Sequence, residues 1–206
     1  MEKGKYKMTE KENMLSGKLY AFRDKELKAD ILKSREINRL YNNTTEEEKE
    51  YRKKLLRELF ENVGNAIRIE PPFRCDYGHH ISIGDNFYAN YDCIIIAVNK
   101  VNIGNNVLLG PRVCIYTAGH PIDAIIRNKL LGFGKPVTIG NDVWIGGNTV
   151  INPGVAIGNN TVIGSGSVLT KNIPDNVIAV GNPCKVLRSI TEEDKTYWEE
   201  EEKKVL

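Results

Sequence analysis

A strict period of six residues governs the stretch from 137 to 175. An α-helix repeats about every 3.6 residues and a half-buried strand alternates with a period of about two, so neither element alone explains this spacing. Short strands separated by tight corners do explain it, because a fixed period of this kind marks a stacked repeat architecture. The stretch therefore predicts a parallel β-helix. The residues that carry the period are Ile139, Ile145, Ile151, Ile157, Ile163 and Leu169.

The same spacing occurs earlier in the chain, in two shorter sets. The first set is Ile83, Ala89 and Ile95, and the second is Ile103, Leu109 and Ile115. The two sets are out of phase by two residues. This shift predicts a small insertion that bulges from the coil near 99–100.

Residues 8 to 63 have the pattern of helices instead. Thr9 with Glu12, and Thr45 with Glu48, are spaced as capping boxes at helix starts. A one-sided apolar stripe follows the second box and predicts a helix that packs against another element. Because a solenoid has a thin core whose ends need cover, we expect these helices to close one end. The predicted divisions are a helical cap over 1–70, a β-helix over 71–185 and a C-terminal tail over 186–206 with a short helix after Thr191.

The six-residue rhythm lapses roughly between Thr117 and Pro136. This segment, TAGHPIDAIIRNKLLGFGKP, mixes glycines, prolines and charged residues, and we predict a loop extruded from the coil. Loops of this length are uncommon in compact domains and are usually functional.

Composition excludes several classes of protein. The 29 basic and 27 acidic residues leave a net charge of +2, which gives no electrostatic footprint for a nucleic-acid partner. The charged opening residues do not resemble a signal peptide, and the apolar run 94–98 is too short to span a bilayer. Four cysteines form no CxxC pair. We expect reduced thiols in a cytoplasmic protein without a membrane or nucleic-acid partner.

The chain contains three histidines. His79 and His80 precede the first clear repeat, and neighbouring strand residues point to opposite faces, so we assign them a surface or packing role. His120 lies where the coil passes into the loop, and it is either a solvated side chain or a general base. Zinc would require three converging imidazoles, and no pair here has a spacing that places two on one face of successive coils. We therefore expect no metal site.

Other polar residues have a structural and a functional interpretation that sequence leaves open. Asn90 flanks the inward Ala89 and should face outward. Asp76 and Asp92 suit either turn chemistry or hydrogen bonds to sugar hydroxyls. Gly147 suits either a tight corner or a backbone N–H that faces an oxyanion. A basic cluster at the end of the stack suits either phosphate binding or solubility, and its members are Lys171, Lys185 and Arg188.

Five runs of this sequence closely resemble the maltose and galactoside O-acetyltransferases, which are hexapeptide-repeat acyltransferases. The combination of N-terminal segment, GHP loop and GNP end is more specific than any single hexapeptide. The likeness covers nearly the whole chain. The runs are SGKLYAFRDKEL (16–27), FRCDYGHHISIGDNFYANYDC (73–93), YTAGHPID (116–123), KPVTIGNDVWIGGNTVINPGVAIG (135–158) and AVGNPCKV (179–186).

The resemblance implies a mainly β fold, a left-handed parallel β-helix with an N-terminal helical cap. It also implies a homotrimer with an acetyl-CoA site in the groove between two subunits. By the family's mechanism, His120 takes the proton from an acceptor hydroxyl that attacks the thioester directly. Asn90 would hold the reacting groups, and the N–H of Gly147 would face the oxyanion.

The resemblance further implies binding roles. The residues expected along acetyl-CoA are Trp144, Gly147, Ser165, Thr170, Lys171, Lys185 and Arg188. The residues expected on the acceptor side are Asp24, Asp76, Asn90 and Asp92. Galactoside enzymes carry an acidic residue where this chain has Phe22, and another where it has Val98, whereas Asp24 matches the maltose-type arrangement. These departures favour a maltose- or glucose-like acceptor.

Three other functions remain open at this stage. The same chemistry could serve another hydroxyl, such as that of an antibiotic or a nodulation-type oligosaccharide. A zinc hydratase could use the same scaffold, and stoichiometric metal would reveal it. A trimeric scaffold without catalysis is the third.

Overall fold

A computed structural model describes residues 7–206 as a parallel β-helix with helices at its N-terminal end. The mainly β, repeat-built fold is confirmed. Residues 1–6 of the predicted cap lie outside the described residues. The helices are α1 (Glu10–Leu15), α2 (Lys25–Asn42), α3 (Lys49–Leu59), α4 (Ala124–Arg127) and α5 (Glu192–Glu202).

Three sheets form the faces of the solenoid, and the chain passes repeatedly from face A to face B to face C. Face A consists of β2 (Asn62–Val63), β5 (Ile81–Ile83), β8 (Val101–Ile103), β13 (Val137–Ile139) and β16 (Ala156–Ile157). Face B consists of β3 (Arg68–Ile69), β6 (Tyr88–Ala89), β9 (Leu108–Leu109), β14 (Trp144–Ile145), β17 (Val162–Ile163), β19 (Val177–Val180) and β20 (Lys185–Ser189). Face C consists of β4 (Arg74–Asp76), β7 (Ile94–Ile96), β10 (Cys114–Tyr116), β15 (Val150–Ile151) and β18 (Val168–Leu169).

The six-residue anchors point into the solenoid. Ile139, Ile145 and Ile151, one on each face, are each at most 1 % exposed. Strands on successive coils pair in parallel and in register, as Ile139 does with Ile157 and Ile145 with Ile163. Each strand thus buries one row of side chains while its backbone is satisfied by the coils above and below.

The strands of the solenoid begin before residue 71 and end after residue 185, the predicted β-helix boundaries. Asn62 pairs with Ser82, and Arg68 pairs with Tyr88, so the solenoid starts before the Pro71–Pro72 pair. At the other end, β20 pairs antiparallel with β19 and carries the sheet to Ser189. β2 and β3 have two residues each, too few for local periodicity to reveal, and β20 buries no alternate side chains that would mark it as a strand.

The cap helices are attached to the first coils by buried contacts. The Asn38 amide donates to Cys75 O at 2.8 Å, and the Tyr41 hydroxyl donates to Ile69 O at 2.6 Å. Leu55, Leu56 and Leu59 of α3 join the same hydrophobic cluster as the coil interior. The predicted cover at one end of the solenoid is therefore confirmed.

Two of the three predicted helix caps are confirmed. Thr9 forms a capping box with Glu12, and Thr191 caps α5. The Thr45–Glu48 box is wrong, because α3 begins after Glu48, which is itself the N-cap residue. The Glu48 carboxylate instead accepts from the backbone N–H of Thr45 at 2.7 Å and closes a turn before the helix.

The turns from face A to face B form a ladder of carboxamide and carboxylate side chains. In each turn one side-chain oxygen accepts from the backbone N–H of the coil before it, as Asn105 does for Asp85 and Asn141 does for Asn105, both at 2.8 Å. The next residue in each turn has a positive φ, which Asn and Asp tolerate better than other side chains. These residues are Asn86, Asn106, Asp142, Asn160 and Asn176.

The predicted insertion near 99–100 does not bulge into solvent. Asn99 is 4 % exposed, and its side chain points into the molecule. Among residues 7–206, no helix is both long and apolar enough to cross a bilayer.

Candidate active site

His120 lies on an ordered excursion from the coil. The segment predicted as a loop contains β11 (Ala118–Gly119), α4 and β12 (Leu131–Gly134). β12 pairs with β11 on one side and with β1 (Tyr20–Ala21) on the other, so a three-stranded sheet carries the histidine. A rigid sheet under an exposed side chain is a suitable support for a reacting group.

A backbone carbonyl fixes the ring of His120. Nδ1 lies 3.0 Å from Leu131 O, and a carbonyl only accepts, so Nδ1 carries the proton. Nε2 is then left with a free lone pair. The ring of Phe22 meets the imidazole edge-on, with centroids 5.8 Å apart. The sequence places an exposed imidazole here in one tautomer and one orientation.

Asn90 and Gly147 lie together in the column of turns that leads from face B to face C. The N–H of Asn90 donates to Leu109 O at 2.9 Å, and that of Asn148 donates to Pro111 O at the same distance. Neighbouring coils approach closely at Gly146 and Gly147, so a side chain at either position would collide with them. A Cβ on Gly147 would lie 3.0 Å from Pro111 O. Within residues 7–206, no carbonyl or side chain accepts the N–H of Gly147.

A single chain does not bring these groups to His120. Asn90 and Gly147 precede the strands of face C, whereas His120 follows them. Ile94–Ile96 pairs in register with Cys114–Tyr116 between the two turns. Since a strand advances about 3.3 Å per residue, the two positions lie on the order of 15 Å apart, on opposite edges of face C. The residues predicted to be catalytic thus lie in two separate groups, the two half-sites of the predicted active site.

The predicted acceptor carboxylates are each engaged within the chain or exposed. Asp24 is the N-cap of α2 and accepts from the N–H groups of Glu26 and Leu27. Asp76 receives a two-pronged hydrogen bond from Arg35, at 3.0 and 3.2 Å, and this contact raises the pKa of the guanidinium. Asp92 is exposed, with a φ of 62°.

Two predicted cofactor residues line one apolar cavity of about 800 Å³ between face B and α5. Trp144 is 55 % exposed there, beside Tyr197 and Trp198. The Arg188 guanidinium donates to both carboxylate oxygens of Asp194, which lowers the pKa of that carboxyl. The remaining predicted cofactor side chains, all exposed, are Ser165, Thr170, Lys171 and Lys185.

Comparisons with known proteins place this geometry in a family. The model of the maltose acetyltransferase hexapeptide capping motif matches residues 13–64, and that of the bacterial transferase hexapeptide, with six repeats, matches 136–171. Galactoside O-acetyltransferase of Escherichia coli is 42 % identical over 187 residues, which cover 91 % of this chain and 95 % of that protein. The chain is a member of the maltose and galactoside O-acetyltransferase family. It is an acetyltransferase.

Two solved structures extend the likeness to three dimensions. A maltose O-acetyltransferase from Clostridium difficile superposes with a TM-score of 0.88 at 54 % identity, covering 89 % of this chain and 98 % of that one. A galactoside acetyltransferase in complex with coenzyme A gives a TM-score of 0.89 at 42 % identity, covering 92 % and 94 %.

In this acetyltransferase the other two histidines differ in geometry from the sequence-based expectation. They lie in a 3₁₀ turn, Gly78–His80, and not in a strand, so they do not point to opposite faces. Their ring centroids are 4.2 Å apart. His80 is 1 % exposed and its Nδ1 donates to Ala97 O at 2.8 Å, while burial lowers its pKa to about 4. The assigned packing role fits this burial. Among residues 7–206, no three acidic, histidine or cysteine side chains are arranged to hold a metal ion.

Sequence reasoning missed the residues that hold the His120 ring. Leu131 contributes only a backbone carbonyl, and Phe22 was noted for its lack of charge and not for its contact with the imidazole. The signal that was available is the lapse of the six-residue period, since a folded excursion requires partners outside the coil.

Proposed function

We propose that this acetyltransferase transfers an acetyl group from acetyl-CoA to a hydroxyl of a maltose- or glucose-like sugar, with His120 as general base. The observation that carries this proposal is the contact of Nδ1 with Leu131 O, because in the neutral ring it places the proton on Nδ1 and leaves Nε2 of this exposed side chain as the acceptor. Nε2 takes the hydroxyl proton as the sugar oxygen bonds to the thioester carbon. When the tetrahedral intermediate collapses, the C–S bond breaks and the imidazolium returns the proton to the thiolate.

The turn column of Asn90 and Gly147 supplies the complementary half of the site in this proposal. The N–H of Gly147, which has no acceptor within residues 7–206, is available to the oxyanion of the intermediate. The Asn90 side-chain oxygen accepts from the N–H of Tyr91 at 2.8 Å, so its amide N–H groups are free to hold the reacting groups. No covalent enzyme intermediate is required.

A homotrimer would unite the two half-sites. From β7 to β18 the outward side chains of face C are apolar, including Ile94, Tyr116 and Val150, and only β4 adds charged ones. Those of face A are mostly polar, including Ser82, Asn102 and Thr138. An apolar face flanked by two incomplete half-sites favours contact between copies. If three copies turn face C toward a common axis, each His120 edge meets the Gly147 edge of the next copy.

The likeness to a structure holding coenzyme A supports acetyl-CoA as the donor. Lys171 and Lys185 are exposed and form no ion pair within residues 7–206, so both are available to the phosphates. Arg188 already pairs with Asp194, and we assign it a smaller part in phosphate binding. Trp144 would wall the groove, with Ser165 and Thr170 along its path.

Asp24, Asp76 and Asp92 are the proposed acceptor residues. Phe22 beside His120 and the buried Val98 leave no carboxylate at the two positions where galactoside enzymes have one. This favours the maltose- or glucose-like acceptor. The second candidate is another hydroxyl compound, an antibiotic or an oligosaccharide.

A panel of acceptors tests the proposal. Purified protein is mixed with acetyl-CoA and with maltose, glucose, a galactoside, an oligosaccharide or an aminoglycoside, and free thiol is measured. We expect the fastest acceptor-dependent release with maltose or glucose. Faster release with the oligosaccharide or aminoglycoside would favour the second candidate. If none of these acceptors causes release of free thiol, the proposed function is overturned.

We also propose that the enzyme works in the cytoplasm. All four cysteines are free, including the buried Cys75, Cys93 and Cys184, as expected in a reducing compartment.

A further inference from the structure

A single buried amide joins three separate segments of the molecule. Asn99, which is 4 % exposed, lies in the turn from β7 to β8 where the repeat changes phase. Its Nδ2 lies 3.1 Å from Leu15 O, 3.1 Å from Gly134 O and 3.3 Å from Met14 O. Two N–H groups are thus shared among three carbonyls, two at the end of α1 and one at the end of β12.

The backbone of Asn99 holds the other end of the excursion. Its N–H donates to Thr117 Oγ1 at 2.9 Å, and that hydroxyl donates to Ile96 O at 3.0 Å. Thr117 is fully buried, and its carbonyl accepts from the N–H of Lys135 at 2.9 Å. The segment that carries His120 therefore leaves and re-enters the coil at residues that Asn99 ties together.

The contacts continue from Gly134 to the imidazole within one strand. β12 begins at Leu131, whose carbonyl holds His120 Nδ1, and ends at Gly134, whose carbonyl accepts from Asn99. Tyr20 pairs with Gly132 on the other side of β12. A shift of β12 along its axis would therefore move the acceptor that orients the ring.

We propose that Asn99, acting with Thr117, is a positioning residue for His120. This inference rests on the proposed function, because it assigns the purpose of the positioning to general-base catalysis. Asn99 touches no reacting atom. It sets the register of β12 and β1 over the coil, and that register sets the direction of Nε2.

The three carbonyl oxygens around Nδ2 favour an amide at this position over a carboxylate or an alanine. A carboxylate would direct oxygen at three carbonyl oxygens in a buried site, and burial makes an unmatched charge expensive. Alanine would leave the same carbonyls without donors. The fit is also close, because a Cβ on Gly134 would lie 3.0 Å from the Asn99 Cβ.

The test compares Asn99→Ala and Asn99→Asp with Asn42→Ala. Asn42 also bonds to backbone, donating to Phe73 O and accepting from Phe73 N at 2.8 Å each, but it lies in the cap away from the excursion. We expect both Asn99 variants to lose at least about tenfold in kcat with KM for acetyl-CoA within about twofold, since small displacements of reacting groups reduce rate strongly. Asn42→Ala should keep kcat. Equal kcat in the Asn99 and Asn42 variants would overturn the inference.

Amide hydrogen exchange separates this inference from the proposed function. Amides of 131–134 should exchange at least about tenfold faster in the Asn99 variants than in Asn42→Ala, whether or not His120 is the base. Unchanged exchange there would overturn the inference, while catalysis that survives His120→Ala would overturn only the proposed function. If the Asn99 variants do not fold, Thr117→Val and Thr117→Ser replace them. Thr117→Val, which lacks the hydroxyl, should have a lower kcat than the parent protein, and Thr117→Ser, which keeps it, should retain the parent kcat. Equal kcat in the two variants would contradict the positioning role.

Discussion

At the scale of single residues, the proposed mechanism depends on one nitrogen atom. His120→Ala removes the only exposed imidazole that a backbone carbonyl orients within residues 7–206. Turnover should fall by at least about 10²-fold, as expected for loss of a general base.

The control for this variant is its binding of acetyl-CoA and its oligomeric state, measured by calorimetry and light scattering. Both should be unchanged, because His120 is exposed and its contacts, with Leu131 O and the ring of Phe22, lie outside the coil interior. Near-normal turnover would contradict the assignment of the base.

His80 predicts how stability depends on pH. Its pKa in the folded protein is about 4, lowered by burial from 6.5. Between these values the unfolded chain binds a proton that the folded chain rejects, so the stabilisation is complete above about pH 6.5 and is lost as pH falls toward 4. The loss should be about 3 kcal/mol, from 1.36 kcal/mol per pKa unit.

Denaturant titrations at fixed protein concentration measure this effect. His80→Phe, which keeps a ring beside Tyr77, should show a shallower loss of stability between pH 6.5 and 4 than the parent protein. An identical loss in both proteins would remove His80 as the cause.

At the scale of elements, the positive φ angles in the turns from face A to face B predict which substitutions there lower the free energy of unfolding. Asn106 has a φ of 56° and exchanges side-chain hydrogen bonds with Asn86 and Asp142. Asn106→Gly and Asn106→Val both lose these bonds, but only valine resists a positive φ. The valine variant should be about 1–2 kcal/mol less stable than the glycine variant, as judged by chemical unfolding. Equal stabilities would mean that the turn relaxes to another conformation.

The sequence predicted those elements whose residue pattern lies within a few neighbouring positions of the chain. The six-residue period in 137–175 identified the stacked strands because each repeat carries its own inward anchor. The prediction of a Thr45–Glu48 capping box was wrong because the same spacing also suits a turn that ends before the helix begins, and here Glu48 closes such a turn. The pairing of β12 with β1 was not predictable, since it joins segments more than 100 residues apart through backbone groups alone.

For the site, the sequence supplied candidate residues but not their arrangement in space. The resemblance to a known family pointed to His120, Asn90 and Gly147 as candidates. Nothing in the sequence spacing of these residues indicated that face C separates them. The 3₁₀ turn at His79 and His80 was missed because Tyr77 adopts a left-handed conformation that its residue type disfavours.

At the scale of the whole molecule, face C predicts a link between assembly and activity. Val150 lies outward in the middle of that face, paired with Cys114 and Val168. Val150→Glu should give monomers with turnover reduced by at least about 10²-fold, because buried interface charge opposes association and each copy keeps only half-sites. Thr138→Glu, on polar face A, is the matched control and should keep both properties.

Light scattering and the thiol-release assay are applied to the same samples. An active Val150→Glu monomer would show that one chain completes the site, and would contradict the arrangement proposed above.

The two ends of the solenoid have a consequence for how these molecules behave in a crowded solution. Stacked parallel strands are a template for indefinite growth, since every coil offers the next one the same rungs. Here α2 and α3 cover the first coils, and β20 runs antiparallel along β19 at the last. Because β20 runs in the opposite direction to the other strands of face B, the coil of a second molecule could not continue the parallel pairing there. We therefore expect resistance to fibrillation to come from the cap helices and from β20, and not from the repeats themselves.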